Sequence, residues 1–252
     1  QALAVEKNKP LICVNHILAH AFASFLGHPK NLETAQPHFP MLAMVVSGGD
    51  SRLMLFQENL SFELLGQTRD DAAGEAFDKV AKLLGLPYPG GPNISRVAAS
   101  GNDQAYKFPI AKLGDTLEYS FSGLKTAVLR QVQEIVGDKP GLANLKKTYQ
   151  LPENVVADIA ASFESTVVAT LIEKLLKAYS LYSPASVVIG GGVSANARLR
   201  ESILQHLPDA YIVPPVFCTD NAAMIGALAY QMAQSELHIQ RDLITDSSLA
   251  VL

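Results

Sequence analysis

The fold is decided by the stretch Met41-Leu42-Ala43-Met44-Val45-Val46-Ser47-Gly48-Gly49-Asp50-Ser51. Its first six residues form a continuous apolar run, and Ser47 to Ser51 is typical of a tight turn. Arg52 to Gln57 resumes as a second strand, so the stretch predicts a hairpin. Phe62 to Gly66 adds a third strand and completes a meander. Farther along the chain, helical patterns alternate with short apolar runs, which predicts a mixed α/β fold.

A second glycine-rich turn follows another apolar run. Ser186 to Ile189 predicts a buried strand, and it leads through Gly190-Gly191-Gly192-Val193-Ser194-Ala195-Asn196 into a helix that ends near Gln205. Glycines at the end of a strand let backbone N–H groups approach an anion, and a helix N-terminus favours negative charge. A plain hairpin explains the first turn equally well, and a tight strand-to-helix connection explains the second.

The remaining patterns are mostly helical. We predict helices at 16–26, 68–85, 121–136, 153–179 and 219–234, short strands at 11–14 and 211–213, and a rigid loop at 87–92. Three prolines and two glycines in the last of these segments are typical of neither a helix nor a central strand.

Composition excludes several classes of protein. The chain has 252 residues, 48% of them hydrophobic and 17% charged, which is typical of a globular protein. A net charge of −4 argues against bulk-charge coating of nucleic acid, so any such role needs a local patch or a partner. Two cysteines suggest no disulfide framework, and a reducing cytoplasm fits. We see neither a signal layout nor an apolar run of about eighteen residues, so we expect no membrane span.

Two histidines are spaced for one face of a helix. His16 and His20 lie four residues apart, so both imidazoles can point at one ion. By local sequence the best third donor is Asp220, in a polar cluster that opens an apolar helix. The alternative is that the two histidines are unrelated, because a lone pair at this spacing is a weak motif.

Four carboxylates occur between Asp70 and Asp78. Asp70 and Asp71 are explained as acidic residues that complement a helix dipole. Asp78 lies beyond the first turn, near the glycine- and proline-rich loop, and could accept hydrogen bonds from hydroxyl groups. Lys125 is equally compatible with a surface position. A basic patch could be formed by Arg69, Lys79, Lys82 and Arg96, although solvation of each explains them as well.

Seven segments, spread over nearly the whole chain, carry a resemblance to a known family. They are His16–His20, Val46–Gly49, Asp70–Lys79, Tyr88–Pro92, Phe121–Thr126, Gly191–Asn196 and Cys218–Asn221. Taken together and in this order, they resemble the TsaD family, which makes threonylcarbamoyladenosine in tRNA.

The resemblance implies an actin-like ATPase (ASKHA) fold with two α/β lobes and a site in the cleft between them. Residues 1–40 and 215–252 would belong to an incomplete N-terminal lobe that carries metal ligands, and residues 41–214 to the C-terminal lobe. It also implies transfer of the threonylcarbamoyl group from threonylcarbamoyl-AMP to N6 of the adenosine 3′ of the anticodon, in tRNAs that read codons beginning with A.

The same resemblance assigns roles to individual residues. His16, His20 and Asp220 resemble the ligands of one iron or zinc ion, and we count them as the catalytic residues. The substrate-binding residues are Val45, Val46, Ser47, Gly48, Gly49, Asp78, Gly91 and Asn196. Of these, Val45 to Gly49 resemble phosphate and acyl contacts, Asp78 and Gly91 ribose contacts, and Asn196 a contact to the adenylate.

Ligands and partners also follow from the resemblance. We expect a nucleotide (ATP, ADP or threonylcarbamoyl-AMP), with Mg²⁺ as a possible companion, and tRNA, TsaB-like and TsaE-like subunits as partners. The family's usual His-x-Glu-Gly-His reads His16-Ile17-Leu18-Ala19-His20 here, and its usual His-Thr after the Ser-Gly-Gly turn reads Asp50-Ser51. The family's N-terminal segment has no counterpart in this sequence, so we expect a piece absent or on another chain, with activity impaired without it.

Two other functions fit parts of the sequence. One is an inactive or scaffold subunit of the same fold that binds nucleotide and a sister protein, although such a subunit would not need three metal ligands. The other is a sugar- or acetate-kinase-like ATPase, which would need Mg²⁺, whereas two histidines suit a softer metal. A peptidase finds no support, because neither a His-Glu-x-x-His motif nor a nucleophile elbow is present.

Overall fold

A single five-stranded sheet organises the structure. The computed structural model describes residues 2–9, 11–27, 36–139, 141 and 148–234. The strands are β1 (Met41–Val46), β2 (Ser51–Phe56), β3 (Phe62–Gln67), β4 (Ser186–Gly190) and β5 (Tyr211–Ile212), and their order is β3-β2-β1-β4-β5. The first three pair antiparallel, whereas β1 with β4 and β4 with β5 pair parallel. The predicted meander and the mixed α/β fold are confirmed.

Eight α-helices accompany the sheet in the described ranges. They are α1 (Ala2–Glu6), α2 (His16–Phe22), α3 (Ala73–Leu83), α4 (Gly90–Ala98), α5 (Ser122–Val136), α6 (Glu153–Tyr182), α7 (Ala197–His206) and α8 (Ala222–Gln234). Short 3₁₀ turns follow α2 at Ala23–Phe25, precede α7 at Gly192–Ala195 and precede α8 at Pro215–Phe217.

Both faces of the sheet are buried, which explains the uninterrupted apolar run of β1. Leu42, Met44 and Val46 pack into a core shared with α3 to α7. The alternate residues Met41, Ala43 and Val45 pack into a second core shared with α2 and α8. Because side chains alternate across a strand, a strand covered on both sides has no polar positions. The sheet is therefore a central layer, and its two covering layers hold different candidate site residues.

Three local predictions were wrong. Residues 11–14 form no strand, since a short apolar run needs a paired neighbour. The helix expected from Thr68 starts at Ala73, because Thr68 extends the sheet by donating its N–H to Ser51 O and pairing with Tyr119. The loop predicted at 87–92 becomes helical at Gly90. Pro92 is the third residue of α4, where a backbone N–H has no partner within the helix and its loss costs little.

One helix passes the composition test for a membrane span. Within the described residues only α6 is long and apolar enough, with a mean hydropathy of 1.6 over its most apolar window. However, 72% of that window is buried inside the structure. The helix therefore has the burial expected of a core helix.

Candidate metal and nucleotide site

Two capped helices present the three predicted metal ligands. Asn15 caps α2, because its side-chain oxygen accepts from Ile17 N at 2.9 Å and Leu18 N at 3.2 Å. This cap starts the helix at His16, so that His16 and His20 lie on one face. Asn221 caps α8 in the same way, accepting from Met224 N at 2.9 Å. Asp220 directly precedes that cap, and α8 packs against α2.

The three side chains converge on one point. Asp220 Oδ1 lies 3.2 Å from His16 Nε2 and 3.2 Å from His20 Nε2. One ligand atom from each residue lies within 4.8 Å of the others, which is close enough for a shared ion. The two imidazole rings are almost perpendicular, at 89°. Two imidazole nitrogens and a carboxylate oxygen suit zinc or iron and leave room for further ligands.

His20 is the buried member of this group. Its side chain is 3% exposed, against 49% for His16 and 75% for Asp220. Burial and the neighbouring His16 ring lower the pKa of His20, although Asp220 opposes the shift. The imidazole is therefore held in the neutral form that binds a metal. Its Nδ1 is buried and has no hydrogen-bond partner among the described residues, whereas ligating histidines usually donate from their second nitrogen.

The second glycine turn lies directly against the metal-ligand helix. A Cβ atom on Gly190 would come 2.1 Å from the carbonyl oxygen of His20, so only glycine fits there. Gly191 has φ +87°, and a Cβ on it would meet Val46 O at 2.4 Å. The Ser24 hydroxyl donates to Ile189 O at 2.9 Å and ties the turn after α2 to β4. The carboxyl end of β4 is thereby held against both β1 and α2.

The first glycine turn is closed by its flanking residues. Ser47 N donates to Asp50 O at 2.7 Å, and Asp50 N donates to Ser47 Oγ at 3.1 Å. Arg52 Nε donates to Asp50 Oδ1 at 2.6 Å, and the Asp50 carboxylate acts electrostatically on His20, favouring its charged form. No atoms surround the Cβ positions of Gly48 and Gly49 within 4 Å. A ligand can therefore approach this turn at Gly48 and Gly49, where no side chain or backbone occupies the Cβ positions.

A second group of predicted residues gathers around the start of α4. Asp78 Oδ1 accepts from Gly90 N at 2.6 Å, which joins α3 to α4. The Cβ position of Gly91 is open. A cavity of about 410 Å³ lies beside this point, lined by Glu75, Asp78, Lys79, Lys82, Leu86, Pro87 and Tyr88. Its volume is within the range of small-molecule pockets.

Asn196 belongs to this second group through α4. Its Oδ1 accepts from Leu199 N at 2.9 Å and caps α7. Its Nδ2 donates to Ser95 Oγ at 2.9 Å and to Glu164 Oε1 at 2.6 Å. Neither Ser95 nor Glu164 was identified from the sequence. Only the polarity of Glu164 within the apolar run of α6 could have pointed to it.

Asp70 and Asp71 are structural in a way the sequence analysis missed. Both precede α3, so they do not lie in its first turn. Asp70 instead accepts from Phe121 N at 2.8 Å and Ser122 N at 3.2 Å, at the start of α5. Asp71 pairs with Lys125 at 2.5 Å and with Lys79 at 2.7 Å. The Lys125 side chain is only 10% exposed, so it is not a surface residue.

This buried pair predicts a dependence of stability on pH. Burial alone would raise the pKa of Asp71, but hydrogen bonds from Lys125 and Lys79 outweigh it and lower the pKa. A lowered carboxyl pKa stabilises the fold above the unfolded-state value and loses that contribution as pH falls through the folded-state value. We expect Asp71→Asn to lower the free energy of unfolding by about 3 kcal/mol at pH 7, because Lys125 loses its charged partner. Urea unfolding at pH 7 and at a lower pH measures how much unfolding free energy is lost on acidification, and this loss should be smaller in Asp71→Asn than in the parent. Asp209→Asn, which changes an exposed carboxylate, is the control and should behave as the parent. If Asp71→Asn and the parent lost the same unfolding free energy on acidification, Asp71 would not be the source of this pH dependence.

Comparison with known proteins adds independent findings. The model of a family described as "TsaD: tRNA N6-adenosine threonylcarbamoyltransferase" matches residues 1–227. A relative of that name from Thermomicrobium roseum is 40% identical, over 100% of this chain and 71% of its own length. One from Symbiobacterium thermophilum is 42% identical, over 96% and 67%, and one from Staphylococcus carnosus 40% identical, over 100% and 69%. The chain thus spans 67% to 71% of the length of these three relatives.

Two solved structures are similar in fold. Full-length HypF, in a phosphate- and nucleotide-bound form, superposes with a TM-score of 0.59 at 16% identity, over 91% of this chain and 37% of HypF. HypF from T. kodakarensis gives a TM-score of 0.59 at 15% identity, over 94% and 40%. At such low identity the likeness concerns the fold alone. It confirms the predicted α/β fold of the actin-like ATPase kind.

Proposed function

Because this chain belongs to the TsaD family of tRNA N6-adenosine threonylcarbamoyltransferases, we propose that it carries the acyl-transfer site of such an enzyme. The group transferred is threonylcarbamoyl, from threonylcarbamoyl-AMP to N6 of the adenosine 3′ of the anticodon in tRNAs that read codons beginning with A. The observation that carries the proposal is the convergence of His16, His20 and Asp220 next to the glycine turns that end β1 and β4.

The donor set supports a resident metal ion. His16, His20 and Asp220 would hold iron or zinc. When bound, such an ion supplies Lewis-acid polarisation of a carbonyl oxygen. His20 would be the fixed ligand, because its ring is buried and its lowered pKa favours the neutral form. Asp220 is the ligand that can adjust, because its side chain has the greatest exposure of the three.

The chain's own residues would position the reacting groups. The mixed anhydride is already activated, so catalysis consists mainly of holding the carbonyl, stabilising oxyanion charge and orienting the adenosine amine. Val45 and Val46 end β1, and Ser47 to Gly49 form the turn that would approach the phosphate and acyl end, since the Cβ positions of its two glycines are open. Asp78 and Gly91 would contact the ribose, and Asn196 the adenylate. The contact of Gly74 N with Ser47 O, at 3.1 Å, joins the two groups through α3.

The rest of the assembly completes this proposal. In the lobe division that the family resemblance implies, residues 1–40 and 215–252 belong to an N-terminal lobe and residues 41–214 to a C-terminal lobe, and α2 and α8 of the former pack on the sheet of the latter. The partners are tRNA and TsaB-like and TsaE-like subunits, the nucleotide binds with Mg²⁺, and the compartment is the cytoplasm.

Reconstitution tests the function directly. The chain is combined with TsaB-like and TsaE-like subunits, ATP, threonine, bicarbonate and tRNA, with and without an added N-terminal segment from a longer relative. Threonylcarbamoyladenosine in digested tRNA is then measured by mass spectrometry. We expect product that depends on this chain. No product under either condition, together with no bound metal, would favour the scaffold function instead.

A further inference from the structure

Glu164 is a buried carboxylate to which the proposed reaction gives no role. It lies within α6, its side chain is 7% exposed, and one of its oxygens, Oε1, accepts from both Ser95 Oγ at 2.6 Å and Asn196 Nδ2 at 2.6 Å. Arg198 Nε lies 3.8 Å from the other oxygen, and Arg198 itself is bound to Asp103 at 2.6 Å. The carboxylate therefore joins α4, α6 and α7 at one point.

The hydrogen bonds around Asn196 permit only one orientation of its amide. With Nδ2 facing Glu164 and Ser95, both amide hydrogens are used and Oδ1 accepts from Leu199 N. A flipped amide would place Oδ1 against the Glu164 carboxylate and Nδ2 against the Leu199 N–H. Both contacts would be repulsive, since an amide oxygen only accepts and an amide nitrogen only donates. The negative charge of Glu164 strengthens the preference.

This orientation fixes what Asn196 can offer a ligand. Both of its donor hydrogens are occupied, whereas a carbonyl oxygen has a second lone pair beyond the one used by Leu199 N. Ser95 lies one turn after Gly91 on α4, so Asn196 is close to the face expected to contact the nucleoside. Asn196 therefore meets a ligand as a hydrogen-bond acceptor.

We infer that Glu164 is a positioning residue that holds Asn196 as an acceptor and so selects nucleotides that present a donor to it. The inference rests on the proposed function, because that function makes Asn196 a nucleotide contact. Two groups of an adenosine nucleotide could be the donor, namely the 6-amino group of the base and a ribose hydroxyl. A site built around such a bond discriminates against an analogue that lacks the donor, because the acceptor is then left unpaired.

Nucleotide binding by the purified chain tests the inference without the transfer reaction. Calorimetry compares AMP with IMP, which lacks the amino group, and with 2′-deoxy-AMP and 3′-deoxy-AMP, which each lack one hydroxyl. The unsubstituted chain should bind one of these analogues about tenfold more weakly than AMP. Glu164→Ala should lower this ratio of dissociation constants (analogue over AMP) toward one, because the Leu199 N–H alone then favours the parent orientation of the amide.

Matched variants separate positioning from general damage. Glu164→Gln keeps an oxygen that can accept from Asn196 and Ser95, so the ratio should stay within about threefold of the parent. Asp158→Asn alters another α6 carboxylate, which accepts from Asn102 N at 2.7 Å and does not touch Asn196. It should leave the ratio unchanged.

Two results would overturn the inference. One is an unchanged ratio in Glu164→Ala with a melting temperature close to that of the parent. The other is a parent that binds AMP and all three analogues equally, or binds none of them. The first result leaves the proposed transferase function standing. Absence of all nucleotide binding would also remove the nucleotide contacts from that function, and reconstitution would then decide separately whether the chain is active.

Discussion

Purified His20→Ala is expected to bind added iron or zinc with an affinity more than about 100-fold below that of the parent. Removing a ligand should exceed the 10- to 100-fold cost of removing a residue behind a ligand. Metal content by elemental analysis and affinity by competition with a chelator provide the measurement. Threonylcarbamoyladenosine formation in the reconstituted system should fall in parallel.

Controls are needed because His20 is buried, and its truncation also leaves a cavity. His20→Gln keeps more of the side-chain volume, and Asp220→Asn changes a side chain that is 75% exposed and cannot disturb the core. Both should lose metal while keeping a cooperative unfolding transition. His206→Ala, at the exposed C-terminal end of α7, is the matched histidine control and should retain the ion. Full metal content in His20→Gln and Asp220→Asn together would exclude these three residues as the ligands.

Features set by local geometry were readable from the sequence. A four-residue spacing places His16 and His20 on one helical face wherever the helix forms, and Asn15 is a residue type that starts helices. The buried strand β1 was equally readable, because an uninterrupted apolar run bounded by a Ser-Gly-Gly turn fits few other structures. For these elements the prediction needed no knowledge of distant contacts.

Features set by distant contacts were not readable. Asp71 and Lys125 are 54 positions apart, and their pairing depends on how α5 packs against the segment before α3. Asp70 was assigned to a helix dipole that it does not face, because Thr68 continues the sheet. The missed helix α4 shows a different limit. Its first residues, Gly90-Gly91-Pro92, are residue types that disfavour a helix. Proline is nevertheless acceptable in the first turn of a helix, and packing against α3 and α6 stabilises the rest of α4.

Gly190→Ala is expected to destabilise the fold by about 3 kcal/mol and to weaken metal binding at the same time. The added Cβ would lie 2.1 Å from His20 O, a backbone atom that cannot move without shifting α2. Since binding constellations tolerate displacements of only about 0.5 Å, a shifted α2 should misplace the His20 ring. Chemical unfolding and metal titration on the same preparation measure the two effects.

A second glycine-to-alanine substitution is a control that should raise stability where Gly190→Ala lowers it. Gly226 lies inside α8, and its Cβ position has no atoms within 4 Å. Gly226→Ala should therefore stabilise the chain by about 0.5–1 kcal/mol, the helix preference of alanine over glycine, and leave metal affinity unchanged. If Gly190→Ala matched the parent in both stability and metal affinity, the close approach of β4 to α2 would not govern the geometry of the site. If it lost stability alone, the glycine would serve only packing, and the His20 ring would be positioned by its own helix and by Asp220.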